Sequence, residues 1–271
     1  MTERLLEVEG ISKAFDGVMA IENISFSLDA SETLGIVGES GSGKTTLARC
    51  ILRAIDPDIG TVRFRGKDGW HPLHAMTDSE LIPLRQEMQM VFQDPFSSLN
   101  PRMTVQEILE EPLIIHKIGT RASRREAVLD ILDRVQMESD SLTRYPHAFS
   151  GGQRQRIGIA RALILRPKLV VCDEAVSALD VSVQAQIINL LEDLQKELGL
   201  TYLFVAHDLS VVRHICDRIL VMHRGRVVEA GPVEEVFTNP REDYTRLLLS
   251  AIPSPDPDVP LQPLDRQVLG L

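Results

Sequence analysis

Gly38-Glu39-Ser40-Gly41-Ser42-Gly43-Lys44-Thr45-Thr46 is the stretch that decides the fold of this 271-residue chain. A short apolar run at residues 33–37 precedes it, and a helical pattern begins at Lys44. A glycine, four free positions and then Gly-Lys-Thr is the phosphate-loop pattern. In such a loop, backbone N–H groups and the positive end of the helix bind phosphate, the lysine reaches the outer phosphates, and the threonine hydroxyl ligates Mg²⁺. We therefore predict a nucleotide site; a glycine-rich turn with a solvent-exposed lysine is the alternative.

The composition limits the class of protein. Apolar residues make up 44% of the chain and charged residues 25%, which is ordinary for a soluble globular protein of one large domain or two small ones. With 29 basic and 39 acidic side chains the formal net charge is -10, which argues against nucleic-acid binding by the whole surface but leaves a local basic patch open. The cysteines, Cys50, Cys172 and Cys216, are far apart in apolar contexts, which indicates core residues in a reducing compartment.

No stretch predicts a signal peptide or a membrane span. Residues 1–7 lack the apolar core of a signal peptide, and no apolar run approaches the length needed to cross a bilayer. If the protein acts at a membrane, other chains must do the crossing.

Strands surround the phosphate loop in the N-terminal part. Apolar patterns predict strands at residues 5–11, 19–28, 33–37 and 61–65, and a helix at 44–54. Phe15 lies at the Asp16-Gly17 turn between the first two strands. Residues 66–80 predict an irregular loop. Its His71 and His74 form a candidate metal pair, but because no carboxylate or cysteine has useful spacing, a solvated loop is the favoured interpretation.

An all-helical segment follows. A strand at residues 88–92 ends in Gln93, which brings a polar side chain to the end of a buried strand. From residue 94 to about 165 the pattern is helical and interrupts the alternation of strands and helices. Thr104 opens a helix that Pro112 closes, and Ser123 opens a second helix, each through a capping box. The apolar face of the second helix comprises Val128, Ile131, Leu132 and Val135.

Ser150-Gly151-Gly152-Gln153 opens the last helix of that segment. Ser150 is an N-cap candidate, and the two glycines leave first-turn amides uncovered, so this helix end offers a hydroxyl, amides and a positive dipole to an anion. We predict a second phosphate-binding surface here. A capped helix with flexible glycines is the other interpretation.

Polar residues also follow two further buried strands. The apolar run at residues 168–172 delivers Asp173 and Glu174 at its carboxyl end, where open α/β sheets place ligands. Asp173 fits a Mg²⁺-organising role, and Glu174 fits a base that orients or deprotonates a water. The strand at residues 201–206 ends in His207, at the same edge of the sheet, which favours a functional histidine over a structural one.

The C-terminal part predicts a helix, a hairpin and an extended tail. The helix after residues 177–180 carries a core-facing stripe that ends at Leu198, with Gly199 at its C′ position. Residues 219–222 and 226–229 predict a closing hairpin around Arg224-Gly225. From Pro253 onward, prolines and acidic residues favour extended, polyproline-like chain.

Taken together, these motifs resemble the ATP-binding subunit of an ABC transporter over about residues 5–250. The motifs are the phosphate loop, the glutamine loop at Gln93, the signature Ser150-Gly151-Gly152-Gln153, the strand-borne Asp173-Glu174, the loop at 177–180, and His207. The strings at residues 93–101 and 181–186 are similar to the oligopeptide/dipeptide importer branch. So is the ending Asn239-Pro240 followed by Tyr244-Thr245-Arg246-Leu247-Leu248.

The resemblance implies an α/β fold with a RecA-like P-loop NTPase core, a β-rich edge subdomain and an inserted all-helical subdomain at about residues 94–165. Residues 1–250 would form the ABC ATPase domain and residues 251–271 a Pro-rich C-terminal tail. The helical subdomain would contact two membrane-spanning permease subunits. A second ATP-binding subunit, identical or related, would pack head to tail with this one.

The resemblance also implies a role for each motif, with ATP and Mg²⁺ as ligands. Thr45 and Gln93 would contact Mg²⁺, as would Asp173 through water. Glu174 would be the general base, and His207 would contact the γ-phosphate and the attacking water. The implied nucleotide-binding residues of one chain are Phe15, which stacks on adenine, and Gly38, Ser40, Gly41, Gly43, Lys44, Thr45 and Thr46. The second chain would add Ser150, Gly151, Gly152 and Gln153, and Asp180 would couple the two sites.

The function implied is that of an ATP-hydrolysing subunit that energises an importer of peptides or peptide-like solutes. It would work at the cytoplasmic face of the inner membrane, with an external solute-binding protein as an indirect partner and no nucleic acid. An ABC ATPase subunit of a soluble multienzyme complex is the alternative. A GTPase is disfavoured because the chain has no Asn-Lys-x-Asp motif.

The sequence departs from the pattern of the family in three respects. Phe149 stands where many members have leucine, and Ala175 stands where proline is commoner. Some members of the branch carry a C-terminal iron–sulfur motif, but no cysteine follows Cys216, so no cluster is predicted.

Overall fold

The structure is a computed structural model that describes residues 3–251. Within that range the chain forms ten strands and nine α-helices. The strands are β1 (Arg4–Phe15), β2 (Val18–Asp29), β3 (Thr33–Val37), β4 (Ile59–Gly66), β5 (Gly69–Pro72), β6 (Met88–Val91), β7 (Leu169–Asp173), β8 (Thr201–Val205), β9 (Arg218–His223) and β10 (Arg226–Pro232). The helices are α1 (Lys44–Ile51), α2 (Asp78–Leu84), α3 (Val105–Ile115), α4 (Arg121–Arg134), α5 (Gly151–Leu163), α6 (Val181–Leu198), α7 (Leu209–Ile215), α8 (Val233–Thr238) and α9 (Asp243–Ser250).

A six-stranded sheet forms the centre of the molecule, in the order β10-β9-β3-β8-β7-β6. The strands from β9 to β6 are parallel, and β10 pairs antiparallel with β9 at the edge. Every residue of β3, β7 and β8 is buried, as expected for parallel strands covered on both faces. The carboxyl ends of the parallel strands lie at one edge and deliver to it the phosphate loop, Gln93, Asp173 with Glu174, and His207.

A second, antiparallel sheet in the order β2-β1-β4-β5 forms the β-rich edge. Its buried side chains, such as Leu6 and Ile11 of β1, share one core with Ile36 of β3 and Leu47 of α1. A second core joins the helices between β6 and β7 to residues of β7 and β8 such as Tyr202. These layers confirm the predicted α/β class with a β-rich edge and inserted helices.

The segment between β6 and β7 contains α3, α4, α5 and two short 3₁₀ turns. The predicted apolar face of α4 is confirmed, because Val128, Ile131, Leu132 and Val135 are all buried. The prediction that Pro112 closes α3 is wrong. Proline lacks the N–H group of one helical hydrogen bond, but its carbonyl still accepts from the His116 N–H at 3.1 Å, and the buried Leu113 holds the last turn against the core.

The start of α4 also differs from its prediction. Thr120, not Ser123, is the N-cap: its hydroxyl accepts from the Ser123 N–H at 3.3 Å, and the Ser123 hydroxyl accepts from the Thr120 N–H at 2.8 Å. A serine can therefore fill the third position of a capping box, where the sequence pattern calls for Glu or Gln.

The prediction of an irregular, solvated loop at residues 66–80 is wrong. Strand β5 pairs with β4, with His71 opposite Phe64, and the Thr77 capping box opens α2. The Nδ1 atom of His74 lies 3.3 Å from both the N and the O of Val62. Among residues 3–251 there is no group of three or more His, Cys, Asp or Glu side chains that could hold a metal ion.

The C-terminal part completes the central sheet. The predicted hairpin is confirmed by β9 and β10, and Gly199 ends α6 with a φ of 65°. The core-facing stripe of α6 stops earlier than predicted, since Leu198 is 36% exposed at the helix end. In the described part of the chain, no helix combines the length and apolarity that a bilayer crossing requires. The tail predicted to be extended lies, from residue 252 on, outside the described residues.

Candidate nucleotide site

Two neighbouring strands, β9 and β2, pack closely against the phosphate loop. Gly38 has a φ of 149°, and a Cβ there would lie 2.2 Å from the Met222 carbonyl oxygen of β9. Gly43 has a φ of 101°, and a Cβ there would lie 2.5 Å from the Ala20 carbonyl oxygen of β2. Only glycine fits either place, so the strands on both sides fix the curve of the loop.

Lys44 lies at the start of α1 and is only 5% exposed. Its Nζ donates to the carbonyl oxygens of Gly38 and Glu39, each at 2.8 Å. Burial lowers the pKa of Lys44, while the nearby carboxylates of Glu174, Asp173 and Glu39 act in the opposite direction. Since an ammonium group has three donors, two hold the lysine in the loop and one remains for an anion.

Thr45 and Asp173 form a second pair beside the lysine. The Thr45 hydroxyl donates to Oδ1 of Asp173 at 3.0 Å, and Asp173 is 4% exposed. Burial raises the pKa of Asp173, while the Thr45 hydrogen bond and the charges of Arg49 and Lys44 oppose that shift. A hydroxyl and a buried carboxylate are hard oxygen ligands, and a divalent cation would offset the cost of burying the charge. The pair therefore fits Mg²⁺.

Gln93, Glu174 and His207 form a third group. The Gln93 amide donates to Oε2 of Glu174 at 2.7 Å, and Nδ1 of His207 lies 3.4 Å from the same oxygen. Both contacts are to Oε2, which leaves Oε1 as the oxygen for a water molecule.

The backbone at Glu174 is held in an uncommon conformation. Glu174 has a φ of 49°, the left-handed region that non-glycine residues seldom adopt. Its N–H donates to the Val205 carbonyl of β8 at 2.9 Å, and the Ser177 hydroxyl donates to its carbonyl oxygen at 3.0 Å. Neighbouring elements thus fix the direction in which this carboxylate leaves the sheet, with Ala175 and not proline in the turn.

The remaining predicted residues of the loop and its surroundings have these positions. Ser40 and Gly41 are exposed, and Gly41 has open space where a Cβ would stand. Thr46 is half-buried in the first turn of α1. Phe15, at the end of β1, is 45% exposed, and Nζ of Lys13 lies 5.5 Å from its ring centre. This ring has an accessible face on which a flat ligand could stack.

The signature residues lie at the start of α5. The Ser150 hydroxyl accepts from the Gln153 N–H at 3.3 Å, and the Gln153 side chain accepts from the Ser150 N–H at 3.0 Å. The capping box thus uses two donors, while the N–H groups of Gly151 and Gly152 have no intrahelical partner. Within residues 3–251 no hydrogen bond connects Ser150 to the phosphate loop. The structure therefore does not bring this surface to the Lys44 site of the same chain.

Asp180 has a structural role within a single chain. It is the N-cap of α6, and its Oδ1 accepts from the Val183 N–H at 3.0 Å and from the Ser182 hydroxyl at 2.7 Å. These bonds, with the one from Ser182 the stronger cause, lower the pKa of Asp180. The carboxylate is exposed and remains accessible to a partner.

Tyr244 is the residue that sequence reasoning missed. Its hydroxyl oxygen accepts from the Glu39 N–H of the phosphate loop at 3.2 Å. The sequence contained this residue only within a string typical of one branch of the family, and the 205 positions between the two residues gave no sign of the contact.

The chain also matches known families and relatives along most of its length. The family model of the ABC transporter matches residues 21–177, and that of the oligopeptide/dipeptide transporter C-terminal region matches residues 228–269. The chain is 50% identical over 264 residues to the oligopeptide transport ATP-binding protein OppF of Bacillus subtilis, covering 95% of this chain and 85% of the relative. It is 51% identical over 266 residues to the OppF protein of Streptococcus mutans, with the same shares covered.

Solved structures show the same fold. An ATP-binding cassette in a dimeric post-hydrolysis state, bound to ADP and Pi, matches with a TM-score of 0.74 at 30% identity, covering 84% of this chain and 99% of that one. The protein cbiO1 of Clostridium perfringens, part of the ABC transporter complex cbiONQ, matches with a TM-score of 0.78 at 29% identity, covering 88% and 92%. These likenesses confirm the predicted RecA-like core. With a buried lysine in a phosphate loop, a Thr45–Asp173 pair and a carboxylate held by Gln93 and His207, the chain belongs to the ABC transporter family, as an ATP-binding subunit of the oligopeptide/dipeptide branch.

Proposed function

We propose that this chain hydrolyses ATP to ADP and phosphate and thereby energises an importer of peptides or peptide-like solutes. One observation carries the chemistry: Gln93 and His207 converge on Oε2 of Glu174. The names of the relatives, which are oligopeptide transport ATP-binding proteins, support the class of solute.

Binding of the nucleotide is the first step. Lys44 and the amides of the phosphate loop bind the phosphates, and the exposed ring of Phe15 stacks on the base. Thr45, Asp173 and Gln93 would hold Mg²⁺, which would neutralise part of the phosphate charge. The Asp173 carboxylate is already hydrogen-bonded to Thr45, so the two ligands are positioned before the ion binds.

Hydrolysis is the second step. Glu174 accepts a proton from the attacking water, and the oxygen of that water forms the new bond to the γ-phosphorus as the bond to ADP breaks. Gln93 and His207 hold Oε2 and so direct Oε1 toward the water. His207 is 55% exposed, which gives it access to both the γ-phosphate and the water.

A second ATP-binding subunit completes the site. The charge that spreads over the γ-phosphate needs donors from both sides, and this chain supplies one side at Lys44. The free amides of Gly151 and Gly152, with the Ser150 hydroxyl and Gln153, supply the other side from the partner. The exposed Asp180 couples the two sites. The dimeric state of a similar cassette supports this arrangement.

The partners follow from the transporter role. Residues 1–250 act as the ATPase domain, and the helices within residues 94–165 contact two membrane-spanning permease subunits. The complex lies at the cytoplasmic face of the inner membrane and serves an external solute-binding protein. The membership of cbiO1 in a transporter complex supports such partners, and no comparison favours a soluble multienzyme complex.

Affinity purification from solubilised membranes tests this assignment. A tagged chain should recover two membrane-spanning permease chains, and cells that carry Glu174→Gln should lose peptide uptake while keeping the complex intact. Recovery of soluble enzymes alone, with peptide uptake unchanged in the variant, would refute the transport role.

A further inference from the structure

Tyr244, on α9, connects the C-terminal part of the chain to the phosphate loop. Its hydroxyl oxygen accepts from the Glu39 N–H at 3.2 Å, although the two residues are 205 positions apart. Tyr244 is 7% exposed, whereas Glu39 lies on the surface of the loop. The buried phenol thus reaches the outer side of the loop.

The peptide group that Tyr244 contacts is also held from the other side. The Glu39 N–H and the Gly38 carbonyl belong to one peptide bond, and the Gly38 carbonyl oxygen accepts from Nζ of Lys44 at 2.8 Å. A peptide group is planar, so fixing its N–H also fixes the direction of its carbonyl. Hydrogen bonds at both ends of one amide polarise it and strengthen each other.

Tyr244 itself has little freedom. Its ring centre lies 4.0 Å from that of His223 at the end of β9. The residues just before α9 are held by the buried Glu229, whose carboxylate accepts from the N–H groups of Arg241 at 2.9 Å and Glu242 at 3.2 Å. The acceptor therefore stands at a fixed place relative to the central sheet.

The turn between β9 and β10 adds a second contact on the same side. The Gly225 N–H donates to the Ser42 carbonyl oxygen of the phosphate loop at 3.1 Å. The loop is thus held at Glu39 and at Ser42 by elements that follow residue 217 in the chain.

We propose that Tyr244 is a positioning residue for the phosphate loop. By fixing the Gly38–Glu39 peptide it keeps the Gly38 carbonyl directed at the Lys44 ammonium, and so keeps the lysine in the place from which it binds phosphate. A site that is already in its bound geometry loses less free energy to ordering when the ligand arrives. The C-terminal region therefore contributes to the affinity for ATP without touching the nucleotide.

The test compares Tyr244→Phe with Tyr202→Phe. Each change removes one hydroxyl and keeps the ring. Tyr202 is fully buried, and its hydroxyl donates to the Leu191 carbonyl oxygen of α6 at 3.0 Å, away from the loop. The measurements are the Kd for ATP, the KM and kcat of the ATPase, and the Tm of each variant.

We expect the Kd and the KM for ATP of Tyr244→Phe to rise about five-fold, the effect of losing one net hydrogen bond, with kcat within about two-fold. Tyr202→Phe should lower the Tm while leaving the Kd unchanged. An unchanged Kd in Tyr244→Phe, or an equal rise in both variants, would overturn the proposal, because either result reduces Tyr244 to a structural role.

Hydrogen exchange of the wild-type protein tests the contact without any variant. The Glu39 amide should exchange more slowly than that of Ser40, although both residues are on the surface. Equal exchange rates would overturn the proposal. The inference depends on ATP binding by the phosphate loop and not on the transported solute, so its failure would leave the proposed transport role untouched.

Discussion

Glu174→Gln separates the chemistry of the site from its geometry. The amide has the shape of the carboxylate, and its carbonyl oxygen can accept from Gln93 as Oε2 does at 2.7 Å. What is lost is the basicity that takes the proton from water. General-base catalysis contributes about 10²–10⁴-fold, which corresponds to about 3–5 kcal/mol of transition-state stabilisation. We expect kcat to fall by that factor.

Nucleotide affinity should not fall with the rate. The negative charge of Glu174 favours the charged form of the buried Lys44, so the two groups lie close together. Replacing Glu174 by Gln therefore takes one negative charge away from the place where a triphosphate binds. The Kd for ATP should therefore stay equal or decrease. Steady-state ATPase measurements and equilibrium binding of ATP give the two quantities.

Glu192→Gln is the matched control. Oε1 of Glu192 lies 3.5 Å from Nε2 of His214, so this glutamate also has a histidine neighbour, but on α6 and outside the site. Its kcat should match that of the wild-type protein. A kcat for Glu174→Gln within ten-fold of wild type would remove Glu174 from the role of general base.

Three further outcomes follow from the buried groups and caps. Asp173→Asn should make the nucleotide-free protein more stable, because burial raises the pKa of this carboxyl, so that ionisation costs more in the folded chain than in the unfolded chain. The stability that Asp173 contributes is then lost as the pH rises above about 4, so the advantage of the variant in urea unfolding should grow with pH, and equal stability at pH 7 would contradict this reasoning. Burial also raises the pKa of the Cys172 thiol to about 12 and that of the Cys50 thiol to about 11. A thiol reagent should therefore label neither cysteine before the chain unfolds, and fast labelling of the native protein would be inconsistent with their burial. Thr104→Val should cost about 1 kcal/mol in free energy of unfolding through loss of the α3 N-cap, whereas an unchanged unfolding midpoint would show that the cap contributes nothing.

Local sequence patterns predicted the strands and strand ends whose positions depend mainly on neighbouring residues. The strand at residues 33–37 was predicted with its observed bounds, because an apolar run next to a glycine-rich loop leaves few alternatives. The strand ends that carry Gln93, Asp173, Glu174 and His207 follow from the rule that parallel strands present their carboxyl ends at one edge.

The wrong predictions concern segments whose conformation depends on contacts with residues distant in the sequence. Pro112 does not end α3, because packing of Leu113 against the core offsets one missing hydrogen bond. Residues 69–72 form β5 because β4 offers an edge to pair with, which no periodicity within so short a segment can show.

The candidate site likewise contains groups that local motifs predict and contacts that depend on residues distant in the sequence. Motif spacing predicted that Gln93, Asp173, Glu174 and His207 lie at the same sheet edge as the phosphate loop. The contact between Tyr244 and Glu39, by contrast, joins residues that only the folded chain brings together. The role proposed for Ser150 requires a second chain, since its own hydrogen bonds in this structure are those of a helix cap.

Sedimentation of the Glu174→Gln protein tests most directly the claim that one chain holds half of a nucleotide site. With ATP and Mg²⁺ the mass should change from 30.2 kDa to twice that value, and adding Ser150→Arg should keep the chain monomeric while it still binds ATP. A wild-type chain that hydrolyses ATP while it remains at 30.2 kDa, with a rate that Ser150→Arg does not change, would contradict the account.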